Sequence, residues 1–250
     1  MPPGREMSTA PSARSHAALV PGASSEAYVR LSGSLASGVI VLCDHARNTL
    51  PQAYGTLGLP VAELQRHIAY DIGAAGVTER LAASLGAPAV MTRFSRLLID
   101  CNRGEDDPTL IMRLSDGAVI PGNRALTVEE RAARIARFYE PYHQAVSALI
   151  DFALAQDVVP VLLSIHSFTP SWRGKPRPWH AGVLWDKDPR LALPLVASLS
   201  ADPSLITTDA GQAEWAARLA DAMKSILAAP PGDTDLRSIK FFGSHADDRR

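Results

Sequence analysis

The chain has 250 residues and a net charge of −1, with 46% hydrophobic and 20% charged residues. That length supports one large domain with a sizeable core. The near-neutral balance, with arginines mostly scattered singly, argues against nucleic-acid or anionic-membrane partners.

Met1 to Ser24 are rich in Ser, Ala and Pro and lack an apolar h-region, so residues 1–24 read as a disordered leader, not a signal peptide. No apolar run is long enough to cross a bilayer, and the expectation is a soluble cytoplasmic protein. Ala27 to Leu31 fits a short edge strand. Gly38 to Cys43 has the β-branched composition of a strand buried on both faces, and turn chemistry follows over Asp44 to Pro51. Val61 to Leu85 repeats apolar residues near a 3.6 period and predicts a helix stopped by Gly86. Ala87 to Phe94 and Leu97 to Cys101 predict a second and third strand, or one long bent strand. Both cysteines, Cys43 and Cys101, sit in these apolar runs without a CxxC partner, which argues against a disulfide framework or a cysteine-built zinc site.

Asn102 to Arg124 carries Gly, Asp, Pro and Asn at short intervals and predicts a long loop over the sheet edge. Thr127 with Glu130 forms a capping box for a helix to about Ala155, which Pro141 should kink or divide. Val158 to Ile165 is the strongest strand, and Pro160 implies one-sided pairing or a late start. A loop over Ser167 to His180, a strand over Ala181 to Trp185 and a helix over Leu191 to Leu199 follow. Asp209 with Gln212 caps a further helix to about Ala229. Strand alternating with helix predicts a single α/β domain over 25–229, a mostly parallel or mixed sheet with helices on both faces. Residues 230–250 read as a weakly structured tail.

Two histidines end strand-like runs of the same polarity: His45 after Val39 to Asp44, and His166 after Val158 to Ile165. The carboxyl ends of strands in an open α/β sheet are where ligands collect. Either histidine alone fits a hydrogen-bonded strand end. Together they offer what a catalytic zinc needs: neutral imidazoles, with one position left open. The third ligand is Asp71, followed closely by the small residues 73–76, or Asp44 beside His45. Arg96, Asp100, Asn102 and Arg103 cluster near the end of another apolar run. There Arg96 or Arg103 can clamp a substrate carboxylate with Asn102, or pair internally with Asp100. Trp179 and His180 can wall such a pocket or lie on a surface loop. His143 reads as structural, and His16, His67 and His245 carry no assigned role.

These residues fall into spaced motifs: Asp44-His45-Ala-Arg-Asn48 with Pro51, His67-Ile-Ala-Tyr-Asp71-Ile-Gly-Ala, Ser95-Arg96-Leu-Leu-Ile-Asp100-Cys-Asn102-Arg103, and Ile165-His166-Ser-Phe-Thr-Pro170. Over Gly38 to Leu199 the chain resembles the N-formylglutamate amidohydrolase family, itself similar to zinc carboxypeptidases and aspartoacylases. The resemblance implies a zinc-carboxypeptidase-like sheet with a strand-end zinc on His45 and His166. It implies a carboxylate grip by Asn102 and Arg103, and hydrolysis of an N-formyl or N-acyl amino acid. A cationic side chain such as Arg47 would then steady the oxyanion.

Two departures stand out. Asn48 occupies the place of the ligating Glu of the carboxypeptidases, which leaves Asp71 as the substitute ligand. After Leu205 the chain has no match to the family's Asn-Glu-Pro-Tyr stretch or to its Glu-Ile-Arg strand. The general base is therefore unassigned, the sheet is expected to lose a strand, and weak or absent turnover is expected. The competing expectations are a non-catalytic module that binds acidic or acylated amino acids, and a scaffold with merely satisfied histidines.

Overall fold

A computed structural model describes residues 18–172, 174–177, 180–185, 188–201, 221 and 237–244. Seven strands make one mixed sheet: β1 Ala23–Ser24, β2 Tyr28–Leu31, β3 Val39–Cys43, β4 Ala89–Thr92, β5 Val161–Phe168, β6 Ala181–Leu184 and β7 Arg237–Ser244. Their spatial order is β6-β7-β5-β3-β4-β2-β1. The four central strands β7, β5, β3 and β4 are mutually parallel, and both edges turn antiparallel.

Alternation along β3 explains why it lies at the centre. Val39, Val41 and Cys43 enter one core, while Ile40 enters the other. The first core is closed by α1 (Ala74–Leu85), through residues such as Val77 and Leu81, and by α4 (Pro189–Ser200), through Leu191 and Leu195. On the opposite face lie α2 (Val128–Arg134) and α3 (Glu140–Leu154), which bring Tyr142, Ala145 and Leu149. The result is one α/β domain with helices on both sheet faces.

Several expectations are corrected. The helix expected from Val61 breaks: only Val61–Gln65 makes a short 3₁₀ turn, and α1 starts at Ala74 after Gly73 at φ 84°. Between them, the Asp71 N–H donates to the His45 carbonyl at 3.0 Å, which pulls the chain out of helical geometry. Gly86 does end α1, in left-handed geometry that glycine adopts without a Cβ penalty. Leu97 to Cys101 is no strand. Leu97, Leu98 and Ile99 are fully buried, but they fold as a turn whose side chains enter two separate cores. Such a run matches a buried strand in composition without needing ladder partners.

The expected loop over 102–124 contains a small hairpin, Leu114–Ser115 with Ala118–Val119, and a helical turn at Pro121–Arg124. Thr127 caps its helix as expected, accepting from Glu130 N–H at 3.2 Å. Ahead of Pro141 the helix widens over Ile135–Tyr139, where the Glu140 N–H reaches the Ile135 carbonyl. This π segment accommodates a residue that cannot donate. β5 begins after Pro160, the late start, and runs past His166 to Phe168, so His166 lies inside the strand.

Leu19–Val20 and Ala23–Ser24, within the segment read as a leader, pair with Gly33–Ser34 and with β2 respectively. The tail expected to be weakly structured contributes β7, an eight-residue strand seated between β5 and β6, and the sheet is continuous there. The helix expected from Asp209 to Ala229 falls almost wholly outside the described residues. Among the described residues, no helix is long and apolar enough to cross a membrane.

Candidate active site

The β3–β5 register pairs Leu42 with Ser164. Continued two residues, it sets Asp44 level with His166, and His45 follows one step beyond. His45 and His166 meet edge to face, ring centroids 5.2 Å apart. Asp71, released from the helix by Gly73, lies against both. Its Oδ2 is 2.8 Å from His166 Nδ1 and 3.3 Å from His45 Nδ1, and it also accepts from the Ser167 N–H at 3.3 Å. One ligand atom from each of His45, Asp71 and His166 falls within 4.8 Å of the others, and all three residues are buried.

The far nitrogen of each imidazole faces a second carboxylate. His45 Nε2 lies 2.6 Å from Asp100 Oδ1, and His166 Nε2 lies 3.2 Å from Asp44 Oδ2. Arg96 bridges the carboxylates, 2.8 Å to Asp100 and 3.4 Å to Asp71. His45 Nδ1, by contrast, is buried and makes no hydrogen bond. Its ion-pair neighbour, Asp71 Oδ2 at 3.3 Å, does not satisfy it with a hydrogen bond, and a cation held by both atoms would.

Charge points the same way. Asp44, Asp71 and Asp100 are buried; among the described residues Arg96 bonds two of them and Arg103 approaches Asp100 at 3.9 Å. With neutral imidazoles the three carboxylates outnumber these two guanidinium groups, and a net negative charge remains. Buried charges of one sign demand protons or a cation. Without a cation the protons are held tightly. Burial pushes both imidazoles down, but Asp71 and Asp100 raise His45 above its ordinary value, and Asp44 and Asp71 raise His166 to about 9. Burial likewise pushes the three carboxyls up, yet the facing imidazoles hold all of them far below the usual carboxylate range.

Comparison with known proteins places this geometry. The family model for N-formylglutamate amidohydrolase matches residues 37–221. The chain belongs to the N-formylglutamate amidohydrolase family. A crystal structure of gene product Atu2144 from Agrobacterium tumefaciens is 33% identical, with TM-score 0.70, over 87% of this chain and 84% of that one. An N-formylglutamate amidohydrolase from Ralstonia eutropha JMP134 is 18% identical and shares the fold, with TM-score 0.59 over 83% of this chain and 81% of that one. A search of curated proteins returned no match.

Within this family member, the predicted residues divide. His45, Asp71 and His166 come together, with Asp71 as the third member beside the two rings and Asp44 behind His166. Arg96 is committed to Asp71 and Asp100, which makes it a holding group and not a free clamp. Arg103 is partly exposed, its side chain at 44%, with Nε 3.9 Å from Asp100 Oδ2. Asn102 beside it donates its backbone N–H to Asp100 Oδ1 at 2.9 Å. Arg47 points elsewhere: the turn after His45 carries it to α1, where it bonds Glu79 at 2.9 Å on the surface. Trp179 lies outside the described residues.

His143 is packed among aromatic rings, against Tyr139 and Tyr142, as its structural reading expects. Tyr142 and Ser164 escaped the sequence reading. Ser164 carries a signal, since it precedes His166 by two residues and so shares its strand face. Tyr142 carries none, because its contact with Asp44 spans 98 residues.

Proposed function

We propose that this chain is a metal-dependent amidohydrolase that takes an N-formyl or N-acyl amino acid, with zinc held by His45 Nδ1, Asp71 and His166 Nδ1. The observation that carries the reading is the convergence of His45, Asp71 and His166, with His45 Nδ1 buried and making no hydrogen bond, in a cluster of net negative charge. The donor set, two imidazoles and a carboxylate, suits a catalytic zinc with a position left for water. Bound there, zinc supplies the Lewis acidity that makes water a nucleophile near neutral pH and stabilises charge developing on the attacked carbonyl.

The chain's own residues do the rest. Asp100 holds the His45 ring from behind, and Arg96 ties Asp100 to Asp71. Arg103, with Asn102, grips the substrate carboxylate from the exposed side of the cluster, since a guanidinium can meet a carboxylate in bidentate fashion. Asp44, Asp71 and Asp100 are each engaged by imidazoles, so none stands ready as general base. A site without a general base turns over about a hundredfold or more slowly. That same observation favours a second reading, a site that binds the acylated amino acid and turns it over weakly or not at all.

The test is zinc titration of metal-stripped protein, followed by release of free amino acid from a panel of N-formyl and N-acetyl amino acids. The expected result is one zinc per chain, held far more weakly in His45→Ala and His166→Ala, with slow hydrolysis. Stabilisation by substrate without turnover selects the second reading. A wild-type chain that takes up no divalent ion removes the metal-dependent reading, and one that is also not stabilised by any substrate of the panel removes both.

A further inference from the structure

Behind His166 lies an arrangement that the hydrolytic scheme does not use. Asp44 Oδ1 accepts from the Tyr142 hydroxyl at 2.6 Å, and its Oδ2 accepts from the Ser164 hydroxyl at 2.8 Å. His166 Nε2 sits 3.2 Å from that same Oδ2 and 3.1 Å from Ser164 Oγ. All four residues are buried. The direction of each bond follows. An ionised carboxylate only accepts, so Ser164 spends its proton on Asp44 and can only accept from His166. Both neighbours of Nε2 are therefore acceptors, and Nε2 must carry the proton. Asp71 Oδ2 faces Nδ1 at 2.8 Å, so a cation there displaces the Nδ1 proton while Nε2 keeps its own against Asp44.

We propose that Asp44, buttressed by Tyr142 and Ser164, is the positioning residue of the metal centre: it fixes the tautomer and ring orientation of His166 so that Nδ1 serves as the ligand. This rests on the metal-binding reading above. The buttress draws on three elements: β5 supplies Ser164 and His166, the turn after β3 supplies Asp44, and α3 supplies Tyr142. Tyr142 reaches the site from the opposite core, so ligand geometry is referenced to helix packing. Outer partners of ligating histidines carry about ten- to a hundredfold in metal affinity.

The experiment measures the zinc dissociation constant of the full chain by competition with a chromophoric chelator, alongside the visible spectrum of the cobalt-loaded protein. Asp44→Asn offers an N–H to Nε2 and so favours the wrong tautomer. It is expected to weaken zinc about ten- to a hundredfold and to perturb the cobalt bands. Asp44→Glu is expected to recover part of the loss. In a His166→Ala background, Asp44→Asn is expected to add nothing, because the two act through one ring. Tyr142→Phe and Ser164→Ala keep the charge and are expected to lose a few-fold each, which provides a readout even where Asp44→Asn fails to fold.

Wild-type affinity in Asp44→Asn overturns the inference. So does an equal loss with and without His166, or, where that variant does not fold, wild-type affinity in both buttress variants. Zinc bound by wild type with these outcomes leaves the amidohydrolase reading standing, whereas a wild type that binds no zinc removes both.

Discussion

One oxygen of Asp100 lies 2.6 Å from His45 Nε2 and also takes the Asn102 N–H, while the other takes Arg96 and lies near Arg103. A single buried carboxylate thus joins a proposed metal ligand to the proposed substrate grip. Asp100→Asn keeps the volume but loses the charge opposite His45 and Arg96. Its expected effect is coupled, weaker zinc and a higher KM together, read from chelator competition and from steady-state kinetics. Arg103→Ala separates the two. It removes a charged hydrogen-bond partner worth about 1.5–3 kcal/mol, roughly ten- to a hundredfold in KM, while zinc affinity stays at the wild-type value. A drop in zinc affinity of similar size in Arg103→Ala removes its assignment to the substrate.

The turn over residues 95–103 has no ladder or helix to hold it, yet it carries Arg96, Asp100, Asn102 and Arg103. Backbone N–H groups of Ser95, Arg96 and Asp100 donate to the Thr49, Ala69 and Leu110 carbonyls, and side chains add to these bonds. Asn123, fully buried, donates to the Leu97 carbonyl at 2.8 Å and the Met112 carbonyl at 2.7 Å, and accepts from Arg134 at 2.7 Å. Arg134 also reaches the Leu98 carbonyl at 3.1 Å. Asn123→Ala leaves two buried carbonyls and a buried guanidinium short of partners. We expect a loss of about 2–3 kcal/mol, a fall in Tm of about 4–12 °C, and a higher KM as the turn loosens. Unchanged melting shows that the backbone bonds and apolar packing hold the turn without Asn123.

This element also shows what a sequence can and cannot carry. Strand composition and period located β3 and β5, and the two histidines that follow from them, because those signals are local. The Leu97 to Cys101 run misled for the same local reason, since burial without a ladder leaves the same composition. Asp71 was readable as a candidate but not as a loop residue, because Gly73 breaks the helix only in concert with the His45 carbonyl. Arg47 bonds Glu79, a partner 32 residues away that nothing near it in sequence announces. Residue type is legible along a chain, whereas partnership across long separations is not.

At the scale of the molecule, one cluster sets the response to pH. In the metal-free protein His166 rises to about 9 against an unfolded value near 6.5. A raised imidazole stabilises fully below the unfolded value and loses that contribution as pH climbs through the folded one. The depressed carboxyls run the other way, contributing above about pH 4 and failing only in strong acid. Metal-free protein should therefore be most stable between about pH 4 and 6.5 and weaken toward pH 9 as the cluster gives up its protons. Zinc competes with those same protons, so its stabilisation grows across the interval. Thermal melts of chelator-treated and zinc-loaded protein at pH 5.5, 7 and 8.5 should diverge, with the gain in Tm largest at pH 8.5. Parallel curves across that range mean that the ion sits elsewhere. A metal-free protein that gains stability with pH means that the buried imidazoles are neutral before the cation arrives.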